Sequence, residues 1–409
     1  MDFWIAGYGK NAGGTQDSNG DSMSDLTAFM GGRLFDGHDW HDDAAILVEF
    51  GHVCAILPRS EIPENAEKID LGDGLIVPGF IDLQVNGGGG VLFNNQTDLA
   101  GIRTICEAHA QFGTTALMPT LITDTAAVNV AAIAAGNAAV QVRVPGFLGL
   151  HLEGPHLALA RKGTHDPALI RPMDESDLAR TVEAARTLPN LICTVAAETV
   201  TPDQIATLVD AGAVVSIGHS DASAEVAGAA FDAGASMVTH LFNAMSQMGN
   251  REPGLVGAAL ANDRVFAGLI ADGIHVHPTS IEIAHRAKSG AAGRLFLVTD
   301  AMSQTGTDLT EMTLNGRKIT RADGALRLAD GTLAGADLDM IDAVTFMNRK
   351  IGVPLEEVLR MASLYPAEAL GIDETYGHLR PGALASFVHL SGDMDVQSTW
   401  ISGERVWQK

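Results

Sequence analysis

Gly149-Leu150-His151-Leu152-Glu153-Gly154-Pro155-His156 is the stretch on which the reading of this chain turns. The apolar run from Val144 to Leu150 reads as a buried strand, and Gly154-Pro155 ends it with Glu153 left at the carboxyl tip. Two histidines occupy similar places downstream: His219 after Val214-Val215-Ser216-Ile217, and His240 after Ser236-Met237-Val238-Thr239. Parallel strands in a barrel or sheet bring three such tips to one rim. One Glu and two His with an open fourth position is the ligand set of a hydrolytic zinc site. Taken singly, any of the chain's 14 histidines is more simply a packed or solvated side chain. Three donors at strand tips favour the metal.

Strands and helices alternate on both sides of this stretch. Leu75 to Gln84, Thr114 to Leu121, Leu191 to Ala197, Val265 to Ile270 and Leu295 to Val298 read as strands. Leu99 to Phe112, Ala126 to Val140, Pro202 to Ala211, Ala224 to Ala233, Thr279 to Lys288, Ala343 to Ile351 and Leu355 to Ser363 read as helices. Such alternation from 78 to 370 marks a parallel α/β fold, and its length suits a (β/α)8 TIM-like barrel. An open doubly wound sheet is the alternative, but chemical residues falling repeatedly at strand ends favour the barrel.

Both ends of the chain have another texture. Gly32 to Gly37, Ala44 to Gly51 and Val53 to Leu57 read as short strands joined by Gly turns, and so do Leu384 to Leu390 and Ser398 to Trp407. We therefore expect a small β-sandwich domain built from 27–77 and 371–409, with the barrel of 78–370 inserted between. Residues 1–26, rich in Gly, Asn and Asp at their start, read as a disordered extension, or as sequence upstream of a working start at Met23.

Composition narrows the function. The 409 residues are 46% hydrophobic, enough for a sizeable core, and no run approaches the length of a membrane span. Met1 to Ser22 lacks the basic and apolar regions of a secretory signal, and Cys54, Cys106 and Cys193 are too scattered for a disulfide framework. A reducing cytoplasm is the expected home. The net charge of −24, from 50 acidic and 26 basic residues, argues against nucleic acid. An anionic substrate must then be drawn by a local positive pocket against the overall field; solubility alone accounts for the acidity equally well.

Asp300 closes the apolar strand Leu297-Val298-Thr299-Asp300. A helix cap is the ordinary role for such an Asp. The functional one is a general base that takes a proton from water and delivers it to a leaving nitrogen, as amide hydrolysis requires.

Several motifs together are more specific: His-Leu-Glu-Gly-Pro at 151–155, Lys-Gly-Thr-His at 162–165, Gly-His-Ser at 218–220, Thr-His-Leu-Phe-Asn-Ala-Met at 239–245, Arg-Glu-Pro-Gly at 251–254, Ala-Asp-Gly-Ile-His-Val-His-Pro at 271–278 and Val-Thr-Asp-Ala at 298–301. From about Gly32 to its end the chain resembles the N-acetylglucosamine-6-phosphate deacetylases of the amidohydrolase superfamily. The resemblance implies hydrolysis of the acetamide of N-acetyl-D-glucosamine 6-phosphate. It implies Glu153, His219 and His240 as ligands of one divalent metal per chain (Zn, with Fe, Co or Mn as alternatives) and Asp300 as catalytic acid and base. His165 is implied to polarise the acetamide carbonyl and, with Thr164, to contact the sugar. Asn243, Ala244, Arg251 and His275 are implied for phosphate and sugar, with Asp272, Gly273, Ile274 and His275, and Leu333, Ala334 and Gly335, as loops lining the substrate. It further implies a homodimer in which Arg251 serves the neighbouring subunit. His156 and His277 receive no role beyond packing or solvation.

One departure stands out. Many superfamily members carry His-x-His after the first barrel strand, whereas this chain has Gln84-Val85-Asn86. A neutral amide is a poor ligand, so a single tightly bound metal is expected. The rival readings are the same chemistry on N-acetylgalactosamine 6-phosphate, and a metal-free superfamily member with an assembly or regulatory role.

Overall fold

Eight short parallel strands form one sheet in strict chain order: β1 (Phe80–Val85), β2 (Thr114–Ile122), β3 (Leu150–Glu153), β4 (Leu191–Val195), β5 (Val214–Ile217), β6 (Met237–Val238), β7 (Phe266–Leu269) and β8 (Leu295–Leu297). This is a computed structural model, and it describes residues 26–409. The sheet closes on itself, because Val85 bridges Ala301 in parallel, Asn86 N–H donates to the Ala301 carbonyl at 2.8 Å, and Asp300 N–H donates to the Gln84 carbonyl at 3.0 Å. The chain thus forms the expected (β/α)8 barrel. Every residue of β2 is buried, as expected of a strand covered on both faces.

Helices follow the first seven strands: α1 (Leu99–Ala110), α2 (Ala126–Gln141), α3 (Glu175–Thr187), α4 (Pro202–Asp210), α5 (Ala224–Asp232), α6 (Gly254–Ala261) and α7 (Pro278–Lys288). Asp98, Thr125, Asp174, Thr201 and Ser223 cap α1 to α5, each side chain accepting from the N–H three residues on. Beyond β8 come α8 (Met340–Phe346), whose last turn continues as a π-helical segment to Ile351, then α9 (Leu355–Ala362) and α10 (Leu364–Leu370).

The chain ends form two sheets. Leu26–Met30, Ala44–Glu49, His52–Pro58 and Glu67–Asp70 make one. In the other, Phe387–Leu390 pairs antiparallel with Leu75–Pro78, joining the two ends of the sequence. Phe29, Ile46, Ile76, Phe387 and Trp400 pack between the sheets, with the Phe29 ring 5.0 Å from Phe387 and 4.9 Å from Trp400. That is the sandwich the sequence led us to expect. The extension read for 1–26, with its alternative start at Met23, lies outside the described residues except for Leu26, which opens a strand.

Three readings of the sequence need correction. The run from Val144 to Leu150 is not a strand: Arg143, Gly146 and Gly149 hold positive φ (53°, 81° and 152°), and β3 begins only at Leu150. A Cβ at Gly149 would lie 2.2 Å from the Asn190 carbonyl oxygen, so the chain there is too close for any side chain. The run from Leu75 to Gln84 is two strands, split at Gly79 between sandwich and barrel. Finally, residues 311–336, not read as structured, form a four-stranded antiparallel sheet: Glu311–Leu314, Arg317–Ala322, Ala325–Leu328 and Leu333–Ala336. Its buried Leu314, Ile319, Leu326 and Ala334 pack on Leu92, Ile122 and Met302 at the rim of the barrel.

One buried histidine makes the fold acid-sensitive. His109, on α1, is fully buried; its Nε2 bonds the Gly87 carbonyl at 2.9 Å and its Nδ1 has no partner. Burial pushes its pKa down from 6.5 to about 4. The unfolded chain therefore binds a proton that the folded chain refuses between those values, so stability is complete above 6.5 and declines as pH falls toward 4. The expected loss is ~3 kcal/mol. Urea unfolding at pH 7.5 and pH 4.5 should show a smaller acid loss for His109→Gln than for the parent; equal losses would rule this source out.

Candidate active site

Glu153 ends β3, and His219 and His240 each lie two residues beyond their strands, β5 and β6. The barrel brings the three to one point. Glu153 Oε1 lies 3.3 Å from His219 Nε2 and 3.1 Å from His240 Nε2, and the two Nε2 atoms are 3.0 Å apart. All three residues are buried. His219 Nδ1–H donates to the Arg161 carbonyl at 2.8 Å, which turns the lone pair of Nε2 to the centre. Two imidazole nitrogens that close, beside one carboxylate oxygen, repel unless a proton or cation lies among them. Two nitrogens and an oxygen suit a borderline divalent ion such as zinc, so these residues fit a metal. Burial alone would raise the pKa of Glu153, but the two imidazoles hold it well below its usual range.

His219, His240 and Asp300 have positive φ (47°, 29° and 52°). Few non-glycine residues adopt that backbone, and such strain clusters at functional positions. Asp300 Oδ1 accepts from Asn86 Nδ2 at 2.7 Å and from Gln84 Nε2 at 3.2 Å. The same Gln84 amide group donates to Glu153 Oε1 at 3.2 Å. Gln84 and Asn86 therefore serve as hydrogen-bond donors to carboxylates. Burial, and next the charge of Glu153, push Asp300 up to about 6.

His165 lies against the trio, its ring 4.3 Å from that of His219. Its Nδ1 accepts from the Thr123 N–H at 3.3 Å and lies 2.7 Å from Thr123 Oγ1, so its proton is on Nε2, 3.9 Å from Glu153 Oε2. Burial, and then the neighbouring His219, hold His165 well below its ordinary pKa, which makes it a neutral donor. Thr164 sits just above with a buried, unpartnered Oγ1, and its carbonyl accepts from Arg317 Nη2 at 2.6 Å. Neither Thr123 nor Arg317 was picked out from the sequence. Arg317 belongs to the unforeseen sheet, and Thr123 carries no motif.

The remaining expected residues lie on four further segments. Asn243 and Ala244 lie three and four residues after His240, with Asn243 N–H donating to the His240 carbonyl at 2.9 Å; Ala244 has φ of 47°. In the 272–275 turn, Asp272 Oδ1 accepts from the N–H groups of Ile274 and His275, and Oδ2 lies 2.5 Å from His275 Nδ1. Burial opposes ionisation of Asp272, yet those bonds hold its pKa low. Gly273 lies under the Phe346 ring, and Ile274 is exposed. Leu333, Ala334 and Gly335 are a strand, not the loop expected, because they form the edge of the 311–336 sheet; Ala336 N–H donates to the Asp300 carbonyl at 2.9 Å. Arg251 is exposed on the loop before α6, away from the trio's bonds. His156 is buried against the Arg171 carbonyl and His277 caps α7, as packing roles require.

A model of the amidohydrolase family matches residues 75–406. The chain belongs to the amidohydrolase family. This amidohydrolase is 41% identical to the N-acetylgalactosamine-6-phosphate deacetylase of Shewanella sp. (strain ANA-3), over 94% of this chain and 98% of the other. It is 34% identical to the N-acetylglucosamine-6-phosphate deacetylase of Haemophilus influenzae, over 91% of this chain and 97% of the other. The crystal structure of N-acetylglucosamine-6-phosphate deacetylase from Pasteurella multocida superposes with a TM-score of 0.90 at 34% identity, covering 94% of this chain and all of that one. Amidohydrolases of this family are metal-dependent, and this one is an enzyme of amide hydrolysis. No helix among its described residues is long and apolar enough to cross a membrane.

Proposed function

We propose that the enzyme hydrolyses the acetamide of N-acetyl-D-glucosamine 6-phosphate to D-glucosamine 6-phosphate and acetate. The observation that carries this reading is the Gln84 amide bridging Glu153 and Asp300, which sets a proton carrier beside a metal-binding trio.

Glu153, His219 and His240 would hold one divalent ion, zinc in our reading with Fe, Co or Mn as alternatives. A bound ion of this kind acidifies water and polarises a carbonyl. Asp300 takes the proton of the attacking water and returns it to the nitrogen as the C–N bond breaks. His165 donates Nε2–H to the carbonyl oxygen as negative charge builds there. The backbone at Asn243 and Ala244, with Arg251 and His275, would receive the phosphate, and the 272–275 turn and Leu333 to Gly335 would line the sugar. Gln84 and Asn86 stand where His-x-His would offer two imidazoles, and both turn their amide N–H groups to Asp300; a neutral amide oxygen is a poor ligand for a borderline ion beside imidazole, which supports a single tightly bound metal. The exposed Met248 lies three residues before Arg251, and the exposed Val226 follows Ala224, whose N–H donates to Glu252; this supports a homodimer with Arg251 reaching its neighbour. Unpaired Cys54, Cys106 and Cys193 accord with a reducing cytoplasm.

A second reading, the galacto epimer as substrate, is favoured by the 41% identity to the Shewanella enzyme. Acetate release from both phosphosugars and from the unphosphorylated sugars, with and without chelator, separates the readings. We expect the highest kcat/KM on the gluco 6-phosphate and loss of turnover on chelation. A higher value on the galacto epimer moves the assignment to that substrate; no turnover on either after metal addition would leave the non-catalytic rival.

A further inference from the structure

Asp82 is a fully buried carboxylate on β1 that the mechanism above leaves unused. Its partners are all donors close to Asp300. Oδ2 accepts from Thr299 Oγ1 at 2.5 Å, and Oδ1 accepts from Thr299 N–H at 3.3 Å and Gln84 N–H at 3.2 Å. Burial still pushes this carboxyl up to about 7, against the pull of those three bonds. An apolar residue would avoid that penalty, so the carboxylate must secure something else.

What it secures is the turn that carries Asp300. The Thr299 hydroxyl has one proton and gives it to Asp82, which leaves its oxygen to accept from Ala301 N–H at 3.2 Å. Thr299 and Ala301 flank Asp300, whose φ of 52° few side chains tolerate. On the other strand, Gln84 gives its N–H to Asp82, takes the Asp300 N–H on its carbonyl, and gives its side-chain amide to Asp300 and Glu153. We infer that Asp82, acting through the Thr299 hydroxyl, is a positioning residue that holds Asp300 in its left-handed turn and in register with Gln84. The inference rests on Asp300 being the proton carrier. A carboxamide at 82 cannot substitute, since it has a single acceptor oxygen. With its oxygen toward the two backbone N–H groups, its amide takes the place of the acceptor of the Thr299 proton; turned the other way, it sets its N–H groups against those two backbone N–H groups.

The test uses the metal-loaded enzyme and the variants Asp82→Asn, Thr299→Val, Thr299→Ser and the double Asp82→Asn/Thr299→Val. We expect Asp82→Asn and Thr299→Val each to lower kcat by ~10–100-fold through misplacement of the carrier, with KM within about twofold and metal content unchanged. Thr299→Ser should keep near-parental kcat, and the double variant should be no worse than Asp82→Asn alone. If Asp82→Asn does not fold, the Thr299 pair decides: equal kcat for Val and Ser overturns the inference. Parental kcat in folded Asp82→Asn overturns it too, provided Asp300→Asn is inactive. Activity in Asp300→Asn would instead sink the reading on which it rests.

Discussion

Asp300→Asn is expected to lower kcat by ~10²–10⁴-fold or more while the bound metal survives. The substitution keeps the shape of the side chain, and an amide oxygen can still accept from Asn86 Nδ2, now 2.7 Å away. What it removes is the ability to carry a proton from water to nitrogen. An amine is a poor leaving group until protonated, so water attack without proton delivery returns to substrate. The metal should stay because Glu153, His219 and His240 are untouched and lie within 4.8 Å of one another without help from Asp300. Steady-state deacetylation and metal analysis of one preparation check both halves. Near-normal turnover would refute the role assigned to Asp300; loss of metal would make it a ligand.

Glu153→Gln should have the opposite signature, with metal gone and activity following it. Glu153 supplies the single negative charge of the trio, and its Oε1 is the atom nearest both imidazoles. A glutamine there keeps the volume but leaves two nitrogens 3.0 Å apart with no anionic ligand between them. Loss of affinity should exceed the ~10–100-fold that even outer partners of a metal site cost when removed. Metal per chain after gel filtration should fall from about one to near zero, with partial recovery of turnover in excess divalent ion. Full occupancy in Glu153→Gln would place the ion elsewhere.

The barrel and the rim that carries the candidate site were legible because short apolar strands and capped helices leave strong local marks. Glu153, His219, His240 and Asp300 each follow an apolar run, and in a parallel barrel that position determines the face. Less was legible where the chain bends away from such periodicity. Val144 to Leu150 is apolar throughout, yet positive φ at Gly146 and Gly149 breaks it, and composition does not reveal that. The helix α3 was missed because its sequence is largely polar and buries only Asp177, Thr181 and Ala184. The 311–336 sheet did leave a signal: Asn315-Gly316 and Asp323-Gly324, all with positive φ, are the two-residue turns that favour hairpins. With that sheet went Arg317 and its bond to Thr164. Gln84 was legible as a departure from His-x-His, but its bridging of two carboxylates depends on barrel closure.

That closure has a kinetic corollary. Glu153, His219 and His240 hang on the middle of the barrel, whereas Asp300 and Gln84 meet across the joint between the first and last strands, far apart in sequence. Such distant pairings are slow to form, because the long intervening loop must be closed before they yield any stability. In a refolding chain the onset of turnover is therefore expected to report the closing of the barrel, whereas the gathering of Glu153, His219 and His240 is expected to need only its middle strands.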